Sequence, residues 1–152
     1  MNVETLEVVE IRDILRLLPH RFPFVMVDRI VDIRGDDSGI GIKNVTFNEP
    51  HFLGHFPENP VMPGVLVIEG MAQTAAVLVL RLLQLSEQRS MFLITIDKAK
   101  FRRPAVPGDR LEYHVRKSAH RRTMWWYQTE ARVGRTVIAE AVLGAMIGEA
   151  RT

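Results

Sequence analysis

The sequence contains no cysteine, and this absence excludes two kinds of site. Without thiols the 152-residue chain can form neither a disulfide nor a thiolate metal centre. Internal repeats and low-complexity tracts are also missing. The segment "MNVETLEVVEIRDI" lacks the basic start and the apolar run of a signal peptide. We therefore expect one cytoplasmic domain spanning residues 1–152, large enough to enclose a core.

A continuous apolar run long enough to cross a bilayer is lacking too. The longest apolar stretch, residues 61–85, is interrupted by polar side chains: Glu69, Gln73, Thr74, Arg81 and Gln84. Such groups are costly at membrane depth. We therefore expect no membrane association, and we interpret residues 64–87 as a helix about 35 Å long that is buried in protein.

Strand-like segments surround this helix in the sequence. They cover residues 22–34, 39–47, 91–104, 109–120, 123–133 and 136–147. Apolar residues at helical spacing from Ile11 to Leu18 predict a short helix that Pro19 ends. Because a helix that is apolar nearly all round must be wrapped, we predict an α+β domain with a curved antiparallel sheet around a long central helix. A sheet edge left free by this arrangement favours a homodimer.

The net charge is small, but the charged residues are unevenly distributed along the chain. The net charge is only +2, yet residues 97–135 contain eleven Lys/Arg against four Asp/Glu. Residues 1–96 contain eight against twelve. A basic surface of this kind fits an acidic protein, a nucleic acid or a membrane surface, and the charge alone does not choose among them.

Glu69 is the unusual charged residue of the long helix. Its neighbours on the same face are apolar or small, and Gln73 is placed one turn further on to hydrogen-bond its carboxyl group. Burial favours the protonated form of a carboxylic acid, whereas the nearby helix N-terminus favours the charged form. If burial dominates, Glu69 can act as a general acid. The plainer interpretation is an exposed or arginine-paired glutamate.

His55 lies in the proline-rich loop before the helix, in "LGHFPENP". A lone histidine is more often a packed bystander than a catalyst. His51 and His55 have the spacing of two zinc ligands on a helix, but the glycine and prolines around them argue against a helix, and no third ligand stands nearby. Gly64 begins the helix after Pro63, where a backbone N–H is free to bind a carbonyl oxygen.

Four blocks of the sequence together resemble one enzyme family. They are "LPHRFPFVMVDRI", "NEPHFLGHFPENPVMPGVLVIEGMAQ", "KFRRPAVPGDRLEYHV" and the closing "AEAVLGAMI". Taken in order over residues 17–148, they resemble the β-hydroxyacyl-(acyl carrier protein) dehydratases of type II fatty acid synthesis. The resemblance implies a hot-dog fold, in which a sheet wraps a long helix. It also implies dimers that often assemble into hexamers as trimers of dimers.

The resemblance also implies roles for individual residues. His55 matches the catalytic histidine of the family and Glu69 its catalytic carboxylate, with the two contributed by different subunits of a dimer. The Gly64 N–H matches the donor to the thioester carbonyl, and Gln73 matches a supporting polar residue. Family members that also isomerise the double bond carry aspartate at the acid position, so glutamate favours the simple dehydratase.

Two residues depart from the pattern of the family. Gly70 stands where alanine is common, and we expect it to open room beside the acid at some cost in helix propensity. Glu58 adds a charge to the loop after His55.

The reaction implied is the dehydration of a (3R)-hydroxyacyl thioester to the trans-2-enoyl thioester, with no metal or redox cofactor. The substrate is held by the phosphopantetheine arm of an acidic acyl carrier protein, which would explain the basic segment better than a nucleic acid does. Met62 and Phe101 are candidates for the wall of an apolar acyl tunnel. The candidate carrier-protein docking residues are Arg102, Arg103, Arg121 and Arg122; for each, a solvated strand face is an equally good explanation.

Two other functions remain open from the residues. A hot-dog thioesterase would hydrolyse the thioester and release free thiol. A nucleic-acid binder would use Trp125, Trp126 and Tyr127 as a stacking surface. Because these three residues are consecutive, they alternate between the faces of a strand, and packing into the core or an interface is the better explanation.

Overall fold

A computed structural model describes residues 6–149 of the chain. Two α-helices are present, α1 (Ile11–Leu17) and α2 (Gly64–Leu83), with a 3-10 turn at Pro50–Leu53. The strands are β1 (Glu7–Val9), β2 (Arg29–Arg34), β3 (Ser38–Asn44), β4 (Met91–Phe101), β5 (Arg110–Arg121), β6 (Met124–Val133) and β7 (Thr136–Ile147). The α+β class, the short N-terminal helix and the four strands after α2 are as predicted.

The seven strands form one sheet in the order β1-β2-β3-β5-β6-β7-β4, and every neighbouring pair is antiparallel. Helix α2 packs across one face of this sheet, and twelve of its twenty residues are buried. By length and hydropathy α2 could cross a membrane, but 67% of its apolar window is buried inside the domain. This is the burial expected of a core helix.

Helix α2 is shorter than the sequence predicts. It ends at Leu83 instead of residue 87, because Gln84 adopts the left-handed conformation with φ 46° and so terminates the helical hydrogen bonding.

The predicted strand over residues 22–34 is wrong in its first half, since β2 begins only at Arg29. In the preceding loop, a backbone hydrogen bond from Phe24 N–H to the Arg21 carbonyl makes a turn. The Met26 N–H and the Phe24 carbonyl are then bound by the side chain of Gln73 on α2, at 2.8 and 2.7 Å. These backbone groups therefore have a helix side chain as their partner where the alternating pattern predicts a neighbouring strand.

The two edge strands of the sheet differ in length and in apolar exposure. β1 has three residues, whereas β4 has eleven. On β4, Phe92, Ile94 and Ile96 are each about half exposed. A long edge strand with exposed apolar side chains is the kind of edge that a second chain covers.

Gly70 does not open room beside the acid, which corrects the sequence-based expectation. A Cβ atom at residue 70 would lie 2.2 Å from the Tyr113 ring and 2.3 Å from its hydroxyl oxygen. The space that a side chain at Gly70 would occupy is filled by Tyr113, so this glycine permits the close approach of α2 to β5.

Trp125 and Tyr127 point into the core, where both are almost fully buried, and Trp126 lies between them on the opposite face of β6. The prediction that they pack in the protein interior is therefore confirmed for Trp125 and Tyr127.

Candidate active site

A buried ion pair anchors the loop that carries His55. The Lys43 ammonium lies 2.6 Å from a carboxylate oxygen of Glu49, and both side chains are largely shielded from solvent. The other carboxylate oxygen of Glu49 accepts a hydrogen bond of 3.0 Å from the Thr46 N–H. The His55 N–H then binds the His51 carbonyl at 3.0 Å, closing the turn that begins at Pro50. The base candidate is thus held by a loop whose start is fixed at β3.

The imidazole of His55 is held in one tautomer. Its Nδ1 lies 2.7 Å from the Val61 carbonyl oxygen. Because a carbonyl oxygen only accepts, Nδ1 must carry the hydrogen, and in the neutral ring Nε2 is left with a lone pair. The ring also stacks on Phe56 at a centroid distance of 4.1 Å. A neutral histidine with a free Nε2 is the state required of a general base.

His55 faces a cavity of about 390 Å³ together with the start of α2. Gly64, the first residue of α2, lines this cavity, and among the described residues no acceptor is recorded for its N–H. A Cβ atom at Gly64 would lie 2.7 Å from the Phe101 ring, so any larger residue would require that ring to shift. The position therefore combines a free backbone donor with an apolar cover.

The two tunnel candidates also lie in the wall of this cavity. Met62 is buried, and its N–H donates to the Ala105 carbonyl at 2.8 Å. Phe101, at the end of β4, lines the cavity beside Gly64. Their roles in acyl binding remain predictions, but both lie within the same cavity as His55.

Glu69 lies one turn into α2 and is held by Gln73. The Gln73 Nε2 donates to Glu69 Oε1 at 2.9 Å and to the Phe24 carbonyl at 2.7 Å, while its Oε1 accepts from the Met26 N–H at 2.8 Å. Because the Met26 N–H must face an acceptor, the amide of Gln73 cannot be flipped. Gln73 therefore presents only a donor to Glu69.

A single chain does not bring Glu69 into the cavity of His55. The cavity lining includes Gly64 and Val65 but not Glu69. Glu69 is the sixth residue of α2, whereas Gly64 and Val65 are its first two. Within one chain, then, the base candidate lines this cavity and the acid candidate does not.

The four candidate docking arginines form two separate groups. Arg102 and Arg103 line the cavity of His55, and Arg102 pairs with Glu140 at 3.1 Å. Arg121 and Arg122 lie at the β5–β6 hairpin, where Arg121 is in register with Met124 at the other end of the sheet. Phe101, next to Arg102, pairs with Ala139 on β7, whereas Met124 pairs with Met146 on the same strand. The two groups are therefore roughly 20 Å apart along β7.

The zinc alternative for His51 and His55 gains no third ligand. Among residues 6–149, no group of three His, Cys, Asp or Glu side chains converges to hold a metal ion. Burial lowers the pKa of His51, the charge of Glu49 opposes this shift, and the charges of Lys43 and His55 add to it. His51 is therefore a neutral, partly buried side chain of the loop.

One residue at this site was missed by the sequence analysis. His20 follows α1, and its Nε2 lies 3.3 Å from Glu69 Oε1. The two residues are 49 positions apart, and neither spacing nor composition links them. The only available signal was the position of His20 inside "LPHRFPF", one of the blocks that carries the family resemblance.

Comparison with known proteins agrees with this arrangement of fold and site. The FabA-like domain family matches residues 18–142, and the chain belongs to that family. Among curated proteins, the 3-hydroxyacyl-[acyl-carrier-protein] dehydratase FabZ of Rhodopseudomonas palustris (strain BisB18) is 56% identical over 143 residues, covering 93% of this chain and 95% of the relative. The FabZ dehydratase of Bradyrhizobium diazoefficiens is 56% identical over 142 residues, with 93% of each chain covered. Within the FabA-like family, the chain is thus a member of the FabZ group.

Solved structures share the hot-dog fold at low identity. The dehydratase heterocomplex ApeI:P from Xenorhabdus doucetiae matches with a TM-score of 0.77 at 17% identity, covering 90% of this chain and 91% of the other. A hypothetical thioesterase with coenzyme A from Streptococcus pneumoniae matches with a TM-score of 0.59 at 10% identity, covering 81% and 87%. These likenesses concern the fold alone, and both a dehydratase and a hypothetical thioesterase occur among them.

Proposed function

We propose that this chain removes water from (3R)-hydroxyacyl thioesters on acyl carrier protein, giving the trans-2-enoyl thioesters of fatty acid biosynthesis in the cytoplasm. The observation that carries the proposal is the cavity lined by both His55, whose Nδ1 binds a carbonyl oxygen, and Gly64, whose N–H has no partner among residues 6–149. The activity in the names of relatives 56% identical over nearly the whole chain supports the same reaction.

His55 is the proposed base. With its Nδ1 hydrogen bound to the Val61 carbonyl, Nε2 takes the proton from C2 of the acyl chain. The electrons of the C2–H bond pass toward the thioester carbonyl, whose oxygen gains negative charge. The Gly64 N–H and the positive end of α2 stabilise that oxygen.

Glu69 is the proposed acid. As the C2–C3 double bond forms, the C3–O bond breaks, and Glu69 gives its proton to the departing hydroxyl group, which leaves as water. The N–H of Gln73 occupies Oε1, so the proton is carried by Oε2. The cycle leaves one proton gained by His55 and one lost by Glu69, and exchange with solvent restores both.

The proposed site requires two subunits. His55 and Gly64 of one subunit would meet Glu69 and Gln73 of its neighbour, because Glu69 does not line the cavity that contains His55 of its own chain. The exposed apolar side chains of the edge strand β4 support a homodimer that continues the sheet. A hexamer built as a trimer of such dimers is the larger assembly that we propose.

The acyl carrier protein would approach the cavity from its arginine-rich side. Arg102 and Arg103 line the cavity that contains His55, so a carrier docked there would have a short path for its phosphopantetheine arm. Arg121 and Arg122 lie at the far end of the same subunit's sheet. They can join one docking surface with Arg102 and Arg103 only if a neighbouring subunit supplies them.

Complementation between two inactive variants tests the proposal. His55→Ala and Glu69→Gln should each abolish most dehydration of a hydroxyacyl carrier-protein substrate. When the two variants are unfolded together and reassembled in equal amounts, half of the dimers are mixed. Each mixed dimer contains one intact site and one doubly impaired site, so about a quarter of wild-type activity should return.

Each outcome of the mixing experiment is informative. Reassembly of each variant with itself is the control and should give no recovery. A failure of the mixture to recover activity would place both residues in one subunit and contradict the shared site. Full activity in either single variant would contradict the assignment of that residue.

The thioesterase alternative has less support, because the solved thioesterase shares only the fold at 10% identity. Measuring free thiol during the reaction separates the two activities: a dehydratase forms enoyl thioester without releasing thiol, whereas a thioesterase releases one thiol for each substrate consumed.

A further inference from the structure

The segment that carries His20 is fixed from both sides. Before His20 in the chain, the Leu18 carbonyl accepts two hydrogen bonds, one from the Gln88 amide at 2.7 Å and one from the Arg21 guanidinium at 2.8 Å. Downstream, Gln73 binds the Phe24 carbonyl and the Met26 N–H. His20 therefore faces α2 from a segment with little freedom to move.

The two nitrogens of His20 have different surroundings. Nε2 lies 3.3 Å from Glu69 Oε1, the distance of a close polar contact. Nδ1 is buried and has no partner among the described residues. A buried N–H without an acceptor costs more than a buried lone pair, so the favoured form is the neutral ring with its hydrogen on Nε2. In that form His20 presents a donor to Glu69.

Two donors then converge on the same oxygen of Glu69. Gln73 binds Oε1 at 2.9 Å, and His20 approaches Oε1 at 3.3 Å. An oxygen that faces two N–H groups serves as an acceptor, whereas a proton placed on it would oppose both donors. For Oε2, by contrast, no protein partner is recorded among residues 6–149. The carboxylic acid hydrogen therefore belongs on Oε2.

We propose that His20 is a positioning residue of the dehydratase: its neutral Nε2–H, with Gln73, holds Glu69 Oε1 so that the catalytic proton sits on Oε2. This inference rests on the proposed function, because it requires Glu69 to be the acid. His20 neither stores nor passes a proton in this role. The Arg21 guanidinium donates to the Leu15, Leu18 and His20 carbonyls, and Glu69 is the only charged group recorded against the His20 ring within the described chain.

The decisive experiment compares two amides of different length at residue 20. The Nε2 of His20→Gln takes nearly the place of the imidazole Nε2, whereas the amide of His20→Asn ends at the level of Nδ1 and cannot reach Glu69. His20→Phe keeps the ring that stacks on Phe24 at 6.3 Å and removes both nitrogens. Steady-state kinetics on a hydroxyacyl carrier-protein substrate give kcat and KM, and thermal unfolding checks that each variant is folded.

We expect His20→Asn and His20→Phe to lower kcat by about 10- to 100-fold, as for loss of one preorganised donor, with KM nearly unchanged. His20→Gln should stay within about threefold of wild type in kcat. In the background of Glu69→Gln, His20→Phe should lower kcat no further, because His20 acts through Glu69.

Three results would overturn the proposal. If His20→Gln is as slow as His20→Asn, a titrating imidazole is needed and the neutral-donor role is wrong. If His20→Asn and His20→Phe keep wild-type kcat, His20 does not position the acid. A change in KM alone would make His20 a substrate contact. The proposed function fails separately, if Glu69→Gln itself remains active.

Discussion

Two polar clusters lie against the sheet, and they differ in how completely their groups are paired. At the β2–β3 turn, Asp36 binds Lys117 at 2.7 Å and Trp125 at 3.3 Å, and its carbonyl accepts the hydroxyl of Tyr127. On α2, Glu69 has its donors on one oxygen only.

The difference separates stability from catalysis. In the Asp36 cluster each polar group binds another group of the protein, which stabilises the folded chain. In the proposed active site, Glu69 Oε2, His55 Nε2 and the Gly64 N–H have no recorded partner among residues 6–149. Groups left without protein partners are available to a substrate. The comparison predicts opposite consequences for mutations at the two clusters.

The largest expected effect compares two carboxylates: mutation of Glu69 should lower turnover, and mutation of Asp36 should lower stability. Glu69→Gln should lower turnover by about 10³-fold, because it removes the acid, and should leave the free energy of unfolding nearly unchanged. Asp36→Asn should leave turnover unchanged and lower the free energy of unfolding by about 1–2 kcal/mol, because Lys117 loses its main partner. Turnover assays and urea unfolding of both variants check the pair.

The control is the dependence of the free energy of unfolding on pH in the acid range. Burial by itself raises the pKa of Asp36, but the hydrogen bond and charge of Lys117, with the hydrogen bond from Trp125, bring that pKa below its usual value. A lowered pKa means that the stabilisation is complete above the unfolded-state pKa and is lost as the pH falls through the folded-state pKa. Wild type should lose this contribution below about pH 4, and Asp36→Asn should lack that part of the slope. Equal acid slopes would contradict the account.

The next effect tests whether a second subunit completes the active site. Ile94 on β4 and Val8 on β1 are apolar edge-strand residues with similar exposure, 49% and 52%. Ile94→Lys should weaken the dimer and lower turnover about tenfold or more at low protein concentration, because a charged edge resists strand pairing. Val8→Lys should change neither property. Sedimentation and activity measured over a range of concentrations distinguish the two, and a fully active monomer of Ile94→Lys would contradict a shared site.

Local patterns predicted most of the fold. The apolar run that became α2 and the alternating strands after it depend on residues close in sequence, so spacing alone identifies them. The loop before β2 has an equally regular alternation, but its backbone is bound by Gln73, 47 and 49 residues away. A pairing over that distance leaves no periodic signal in the chain.

In the candidate active site, too, local sequence patterns do not reveal contacts between residues distant in sequence. His55, Gly64 and Glu69 fall within one quoted block, and the family resemblance identified them together. His20 belongs to another block, and only folding brings it within 3.3 Å of Glu69. The space beside Gly70 is likewise decided by Tyr113 on a distant strand. Residues whose roles depend on tertiary contacts are those that local sequence patterns do not reveal.

The smallest expected effect concerns an unpaired polar group outside the proposed active site. Its removal tests whether such a group affects turnover or only stability. The Tyr113 hydroxyl is buried and has no partner in the described chain, and burial, followed by the charges of Glu49 and Asp28, raises the pKa of Tyr113 well above its usual value. The side chain is therefore neutral and serves only as packing against α2. Tyr113→Phe should raise the free energy of unfolding by up to about 1 kcal/mol, because an unsatisfied buried hydroxyl is removed, and should leave turnover within about twofold.

Tyr127→Phe is the matched control, since the Tyr127 hydroxyl donates to the Asp36 carbonyl. The same substitution there should lower the free energy of unfolding by about 1 kcal/mol, because it leaves a carbonyl without its donor. If the two substitutions change the free energy of unfolding in opposite directions, then hydrogen-bond pairing, and not burial, decides what a tyrosine hydroxyl contributes to stability. If both substitutions destabilise equally, the Tyr113 hydroxyl has a partner of its own. If Tyr113→Phe instead slows turnover, the group against Gly70 belongs to the active site.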